Sequence, residues 1–267
     1  VPEGHTIHRL ARYHRRLLGG KQLRVSSPQG RFTEADVVDR RKLREVEPLG
    51  KHLFYHFTTG TVHVHLGMYG KFAYREKKRG QAPPDPTPTT RMRLVSAARC
   101  VDLTGPTACH LVDDDEYQAI HGRIGPDLLR PDADRDAVRE RVLKMDRPIG
   151  VVLMDQSILS GIGNAYRSEL LLRQGIHPRS RTTALTAERF DAMWDDAVHL
   201  LNLGVKHSHM FCVDPADVGK VKVSELTRDE RFYVYRRETC RKCGGPVEQF
   251  EMAGRRVYAC PRDQAIL

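Results

Sequence analysis

The sequence predicts an α+β multidomain protein: an N-terminal antiparallel β-sandwich preceded by a helix, then a helical domain that ends in a cysteine-bearing β-hairpin. Three observations predict it. Short runs of alternating apolar and polar residues recur between Leu23 and Val95, apolar residues return at helical spacing from Asp136 to about Val205, and three of six cysteines gather near the C-terminus. At 267 residues the chain is long enough for two cores. With 44 Lys and Arg against 34 Asp and Glu, a formal charge of +10 and a pI near 9.5, it has the balance of a protein that meets phosphates. No apolar run reaches membrane-spanning length and no signal-peptide core opens the chain. A cytoplasmic protein without a membrane partner is expected, and nothing calls for more than a monomer.

The first element is a helix. From Ile7, the residues Leu10, Ala11, His14, Leu17 and Leu18 form an apolar stripe, with Arg9, Arg12 and Arg16 on the opposite face. Pro2 fits as the ordinary proline of a helix start. Exposed as a first residue, it is also a secondary amine: an α-amino group titrates near pH ~8, and its neutral form can attack a sugar carbon. Glu3 is then a carboxyl beside it.

After Gly19 and Gly20 come the strand runs Leu23–Ser27, Leu43–Val46, Leu53–Phe57, Thr61–Leu66, Phe72–Tyr74 and Met92–Val95. Their short intervals argue for the sandwich. Lys51 lies at the mouth of one strand, where a lone lysine is ordinarily a solvated charge. His63 and His65 share a sheet face; with His52 and His56 they read as ordinary surface or core histidines rather than a metal site. Between Gly67 and Gly70 a tight loop presents Met68 and Tyr69. Such residues either wedge into a base stack or cap the sandwich core, and both readings stand. Gln81–Thr90, with four prolines, is a loop.

Gly-Pro and polar residues from Gly122 to Asp134 interrupt both patterns, so the expected boundaries are a sandwich at 1–122, a linker at 123–132, a helical domain at 133–229 and a hairpin at 230–267. The helical domain centres on Pro148–Pro178. Val151–Met154 suggest one buried helix, and Ala165 with Leu170–Leu172 a second. The turn between them relies on Gly161 and Gly163 for unusual backbone angles, and Asn164 stands where a helix cap belongs. Free amides and the helix dipole make that end an anion site, or else simply a capped helical hairpin. Residues 206–232 lose the period and read as a long loop.

The C-terminal cluster is Cys240-Arg-Lys-Cys243, sixteen residues, then Cys260-Pro-Arg-Asp263. Two pairs on facing turns build a tetrahedral structural zinc site, here with Asp263 as an uncommon fourth ligand; the alternative is a hairpin without metal. Cys100, Cys109 and Cys212 are scattered while the other three cluster, which reads as metal chemistry in a reducing compartment. Arg255 and Arg256, between the pairs, offer guanidinium groups to a phosphate, or form a plain exposed basic turn.

Pro2-Glu3-Gly4, Gly50-Lys51, His65–Gly70, Arg123–Asp127, Gly161–Asn164, Tyr233–Arg237 and the Cys240 finger occur in this order, and together they resemble the Fpg/Nei family of bifunctional DNA glycosylases. The pattern is most similar to the endonuclease VIII (Nei) branch of actinobacterial type, although Gly67 replaces a glutamine familiar in that branch. The resemblance implies a sandwich joined to a helix-two-turn-helix domain with a zinc finger, DNA in the cleft between, and a nucleoid-associated bacterial protein. It implies Pro2 as nucleophile on C1′, Glu3 as proton donor, Lys51 as proton donor and phosphate contact, and Arg255 as the fingertip residue of the second elimination. It also implies Arg123 and Asn164 as DNA contacts, with Met68 and Tyr69 filling the void of a flipped base. The implied substrate is damaged double-stranded DNA carrying oxidised bases, pyrimidines favoured, with single-stranded or bubble DNA as open alternatives.

Val1 precedes the nucleophile, and if retained it makes the amine an amide. It reads as a start residue to be replaced by methionine and trimmed. Rival readings are a catalytically silent damaged-DNA-binding protein, a glycosylase of the 8-oxoguanine/formamidopyrimidine type, and a zinc-finger RNA-binding protein. The last lacks the interleaved aromatic platform that RNA stacking needs.

Overall fold

The structure, a computed structural model, describes residues 2–78 and 81–267. Val1, on which the expected freeing of Pro2 turns, lies outside them. Two compact units form among the described residues, one from Ile7–Arg123 with Pro2 and Glu3, the other from Gly4–Thr6 and Ile124–Leu267.

In the first unit, α1 (Gly4–Leu18) continues as far as its apolar stripe does, burying Ile7, Leu10, Ala11 and Leu18. Eight strands follow: β1 (Gln22–Ser26), β2 (Arg41–Leu49), β3 (His52–Phe57), β4 (Thr61–His65), β5 (Lys71–Glu76), β6 (Thr90–Val95), β7 (Arg99–Thr104) and β8 (Ala108–Val112). Their order is β5-β7-β6-β1-β2-β3-β4-β8, and all pairs are antiparallel. The sheet folds over at β1, which pairs with β2 only through Gln22 and Leu23 and then with β6 through Arg24, Val25 and Ser26. Leu23, Val46, Tyr55, Val64, Met92 and Leu94 meet in the core that α1 covers. Within it His14 is fully buried, its Nδ1 and Nε2 each 2.7 Å from a phenol oxygen, of Tyr55 and Tyr74 respectively.

Two short helices, α2 (Ala35–Val38) and α3 (Asp114–Arg123), complete this unit. The sequence reading found neither β7, β8 nor α3. In β7 the alternation is broken by Asp102, a buried carboxylate held by Arg93 at 3.2 Å and Arg75 at 3.3 Å. In α3 the first turn is acidic and only Ile120 is buried, so no apolar stripe marks it.

The second unit holds α4 (Arg135–Leu143), α5 (Ile149–Val152), α6 (Asn164–Arg173) and α7 (Ala187–His207). Asp134 caps α4 by accepting the Ala137 N–H, and Thr186 caps α7 by accepting that of Arg189. Leu153, Ile162, Leu170, Phe190, Trp194 and Leu201 lie in one core. Beyond α7 the chain takes three short 3₁₀ turns over 215–231. Acidic side chains rather than an apolar face order them: Asp214 accepts the Ala216 N–H, Glu225 those of Val221 and Lys222, and Glu230 that of Thr227. The hairpin β9 (Glu248–Met252) and β10 (Arg255–Ala259) turns through Ala253 at φ 54° and Gly254 at φ 65°, the two left-handed residues of a tight turn. No helix of the described residues is long and apolar enough to cross a membrane.

Candidate nucleic-acid interface

In the first unit, Gly50 and Lys51 are the two-residue turn between β2 and β3, with Leu49 opposite His52, so Lys51 stands at a hairpin tip rather than within a strand. His52 pairs in turn with His65, the last residue of β4. The loop from Leu66 therefore leaves the sheet at the same end as Lys51. Leu66 is buried, whereas Met68 and Tyr69 are 48% and 79% exposed, so these two do not cap the core. Gly70 closes the loop by donating to the Leu66 carbonyl at 2.9 Å. Arg123 is exposed at the end of α3.

Between these groups lies a histidine stack that sequence reasoning treated as ordinary. His52 Nδ1 and His63 Nε2 are 2.8 Å apart, their rings stack at 5.0 Å, and His65 leans on His52 at 4.7 Å. Burial, then the neighbouring histidines and Arg123, lowers His52 and His63 to about 3; burial and then Lys51 lower His65. With the rings neutral, Lys51 and Arg123 are cations close enough to act on the stack. Glu3 is 3% exposed at the N-cap of α1, with Pro2 half-buried before it.

In the second unit, Gly161 alone of the two expected glycines takes an unusual angle, φ +96°; Gly163 is extended and is itself the N-cap of α6. Asn164 is thus not the cap but the first helical residue. Its side chain is engaged elsewhere, donating from Nδ2 to the Arg256 carbonyl at 2.8 Å and accepting at Oδ1 from Arg167 Nη2. That side chain, bound to the hairpin, does not fold back onto its own helix amides. Arg255 and Arg256 are exposed beside the tip.

The polar face of α6 is what the sequence reading missed. Arg167, Ser168 and Glu169 are fully buried. Glu169 Oε2 accepts the Tyr233 N–H at 2.8 Å, and Oε1 accepts those of Val234 at 2.8 Å and Tyr235 at 2.7 Å. Charged residues inside the otherwise apolar run Ala165–Leu172 were the available signal, since a helix buried all round hides a charge only when it is paired.

Cys240, Cys243, Cys260 and Asp263 each bring a ligand atom within 4.8 Å of the others. Asp263 Oδ2 is 3.2 Å from both Cys240 Sγ and Cys260 Sγ, and the Cys243 and Cys260 sulfurs are 3.4 Å apart. Burial pushes the Cys240 and Cys260 thiols up; burial opposes ionisation of Asp263 as well, but hydrogen bonds from the thiols hold its carboxyl below the usual range. Three soft donors and one carboxylate converging on one point fit a divalent metal such as zinc.

Residues 1–109 match the formamidopyrimidine-DNA glycosylase N-terminal domain, and residues 124–212 match the formamidopyrimidine-DNA glycosylase H2TH domain. The chain is 43% identical over 265 residues to endonuclease 8 1 of Mycobacterium tuberculosis, covering 98% of each. It is 30% identical over 243 residues to the formamidopyrimidine-DNA glycosylase of a Synechococcus strain, covering 85% of this chain and 83% of that one. In fold it is similar to Lactococcus lactis Fpg (MutM), solved with DNA containing N7-benzyl-Fapy-dG, at a TM-score of 0.79 and 20% identity over 98% of this chain and 99% of that one. A sandwich and a helical unit that each match a domain of one family, with a relative at 43% identity along nearly the whole length, place the chain in the Fpg/Nei family of DNA glycosylases.

Proposed function

We propose that this protein is a base-excision-repair enzyme, a bifunctional DNA glycosylase and abasic-site lyase, acting on oxidised bases with pyrimidines favoured. The observation that carries it is the 43% identity to an endonuclease 8 over 98% of both chains; the roles given below to Pro2, Glu3, Lys51, Asn164 and Arg255 follow from the motifs that resemble the family's. The exposure of Met68 and Tyr69 on a closed loop supports a wedge into the base stack.

A base in the duplex stack hides its glycosidic carbon, so the damaged nucleotide is first flipped out. The Pro2 amine attacks C1′ and a C–N bond forms as the glycosidic bond breaks; the base leaves carrying the proton lost by the amine, and a proton supplied through Glu3 to O4′ lets the C1′–O4′ bond open to an iminium. The resulting iminium withdraws electrons, so loss of the C2′ proton expels the 3′ phosphate and a second elimination expels the 5′ phosphate. Lys51 contributes a cation for the backbone and a proton, and Arg255 assists the second elimination. Asn164 and Arg123 contact the DNA, with affinity that falls steeply with salt. Cys240, Cys243, Cys260 and Asp263 hold one structural zinc, which braces the hairpin.

Borohydride trapping on abasic-site DNA tests this directly. A covalent adduct on protein whose mass shows a free Pro2 amine is the expected result. No adduct from such protein overturns the enzyme and leaves a damaged-DNA-binding protein.

A further inference from the structure

Arg167 has no part in the chemistry above, yet it is the largest fully buried side chain in the described residues. A guanidinium withdrawn from water costs several kcal/mol unless its donors are met. Nη1 donates to the Gly150 carbonyl in α5 at 3.1 Å and to the Met252 carbonyl at the end of β9 at 3.2 Å. Nη2 donates to Asn164 Oδ1.

These bonds have a directional consequence. A guanidinium carries only donors, so the group it meets on Asn164 is the oxygen, and the Asn164 NH₂ is turned the other way. There it finds the Arg256 carbonyl at 2.8 Å. Met252 and Arg256 lie on the two strands of the hairpin beside its turn, with Met252 opposite Arg255 and Arg256 opposite Glu251. One buried cation therefore fixes the β9 side of the tip directly and the β10 side through Asn164. It also decides that the Asn164 amide presents its NH₂, and not its oxygen, toward the fingertip. A phosphate accepts from the first and is repelled by the second.

We propose that Arg167 is a positioning residue that locks Asn164 and the Arg255–Arg256 fingertip into one DNA-binding geometry. The inference rests on the DNA-lyase reading for its ligand, though not for the lock itself. Lysine offers a compact charge in place of a planar fork and cannot meet Gly150, Met252 and Asn164 together.

The test compares Arg167→Lys, Arg167→Met and Asn164→Ala with the parent protein. Hydrogen exchange of the amides at 253–258, measured without DNA, is expected to quicken about tenfold in all three, with α7 amides unchanged. Affinity for duplex DNA carrying a tetrahydrofuran abasic analogue is expected to weaken about tenfold in Arg167→Lys and further in Arg167→Met. On abasic DNA the ratio of second-elimination to first-elimination product is expected to fall. That ratio counts only active molecules, so a merely structural role leaves it unmoved. Parent-like exchange at the hairpin in the lysine and alanine variants overturns the lock. Quickened exchange with unaltered affinity and product ratio overturns positioning. A parent protein that forms no borohydride adduct sinks the lyase reading instead, a result separable because the exchange comparison needs no chemistry.

Discussion

Gly4 donates its main-chain N–H to the carbonyl of Gly161 across 2.8 Å, and the two backbones are in contact: a Cβ on Gly4 would stand 2.8 Å from Gly161 Cα and 3.0 Å from its oxygen. Gly161 reaches this position at φ +96°, where a side chain is strained. The residue directly after Pro2 and Glu3 is thus seated on the turn that opens α6.

Gly4→Ala is expected to destabilise by about 1–3 kcal/mol, because neither backbone has a flexible end to give way. Displacing Pro2, the proposed nucleophile, by a fraction of an ångström would also slow attack, so adduct formation should fall at least about tenfold. Melting and borohydride trapping check both. Parent-like trapping from a folded Gly4→Ala protein removes this contact from the nucleophile's support.

The motifs were legible in the sequence and their supports were not. Alternation revealed six of the sandwich strands and helical spacing revealed α1, α6 and α7, because those elements bury one face of simple chemistry. It failed at β7, where Asp102 is buried with arginines, and at α3, which buries little. At the Asn164 turn, composition gave the glycines and the start of a helix, while the actual cap, Gly163, has no side chain to read. Glu169 and Arg167 act through backbone groups of residues 233–235 and 252, far away in sequence. Such partners carry no residue-type signature.

Glu169 illustrates how much rests on such a partner. Its oxygens accept three N–H groups, and burial nonetheless raises its pKa, the hydrogen bonds and Arg173 pulling the other way. Glu169→Gln keeps the shape but turns one acceptor into a donor, leaving at least one of the Tyr233–Tyr235 amides buried without a partner. A loss of about 1–3 kcal/mol in denaturant unfolding is expected. A variant as stable as the parent would mean that the 233–235 segment finds other acceptors.

The buried histidines make the first unit acid-labile. His14, His52 and His63 are each held down to about 3, chiefly by burial, against 6.5 for a free side chain. Between these values the unfolded chain binds protons that the folded one refuses, so each histidine leaves stability intact above about 6.5 and lowers it as pH falls. The slope is about 1.4 kcal/mol per pH unit for each group fully inside that window. Unfolding midpoints from pH 8 to 4.5 should drop accordingly, and His14→Gln should flatten the slope by about one proton. An unaltered slope in that variant means His14 is not the neutral, buried base described.

The cluster of Cys240, Cys243, Cys260 and Asp263 sets the last expectation, because the fourth ligand it offers a metal is a carboxylate. Thiolate binds zinc through a soft sulfur, whereas Asp263 offers a harder oxygen, so three sulfurs and one oxygen hold the ion less tightly than four sulfurs. Binding also requires that Cys240 and Cys260 lose protons which burial makes them keep, and this competition grows as pH falls. Purified protein is expected to carry one zinc per chain by elemental analysis and to yield it to a chelator. Asp263→Cys should slow that release, while Asp263→Ala should hasten it and loosen the hairpin. Since Cys240 and Cys260 are fully buried in the small core that also contains Tyr233, Val234 and Tyr258, metal loss should spread to the Glu169-bound segment rather than stay at the finger. Protein that contains no zinc and melts identically with and without chelator would show that this core stands by packing alone.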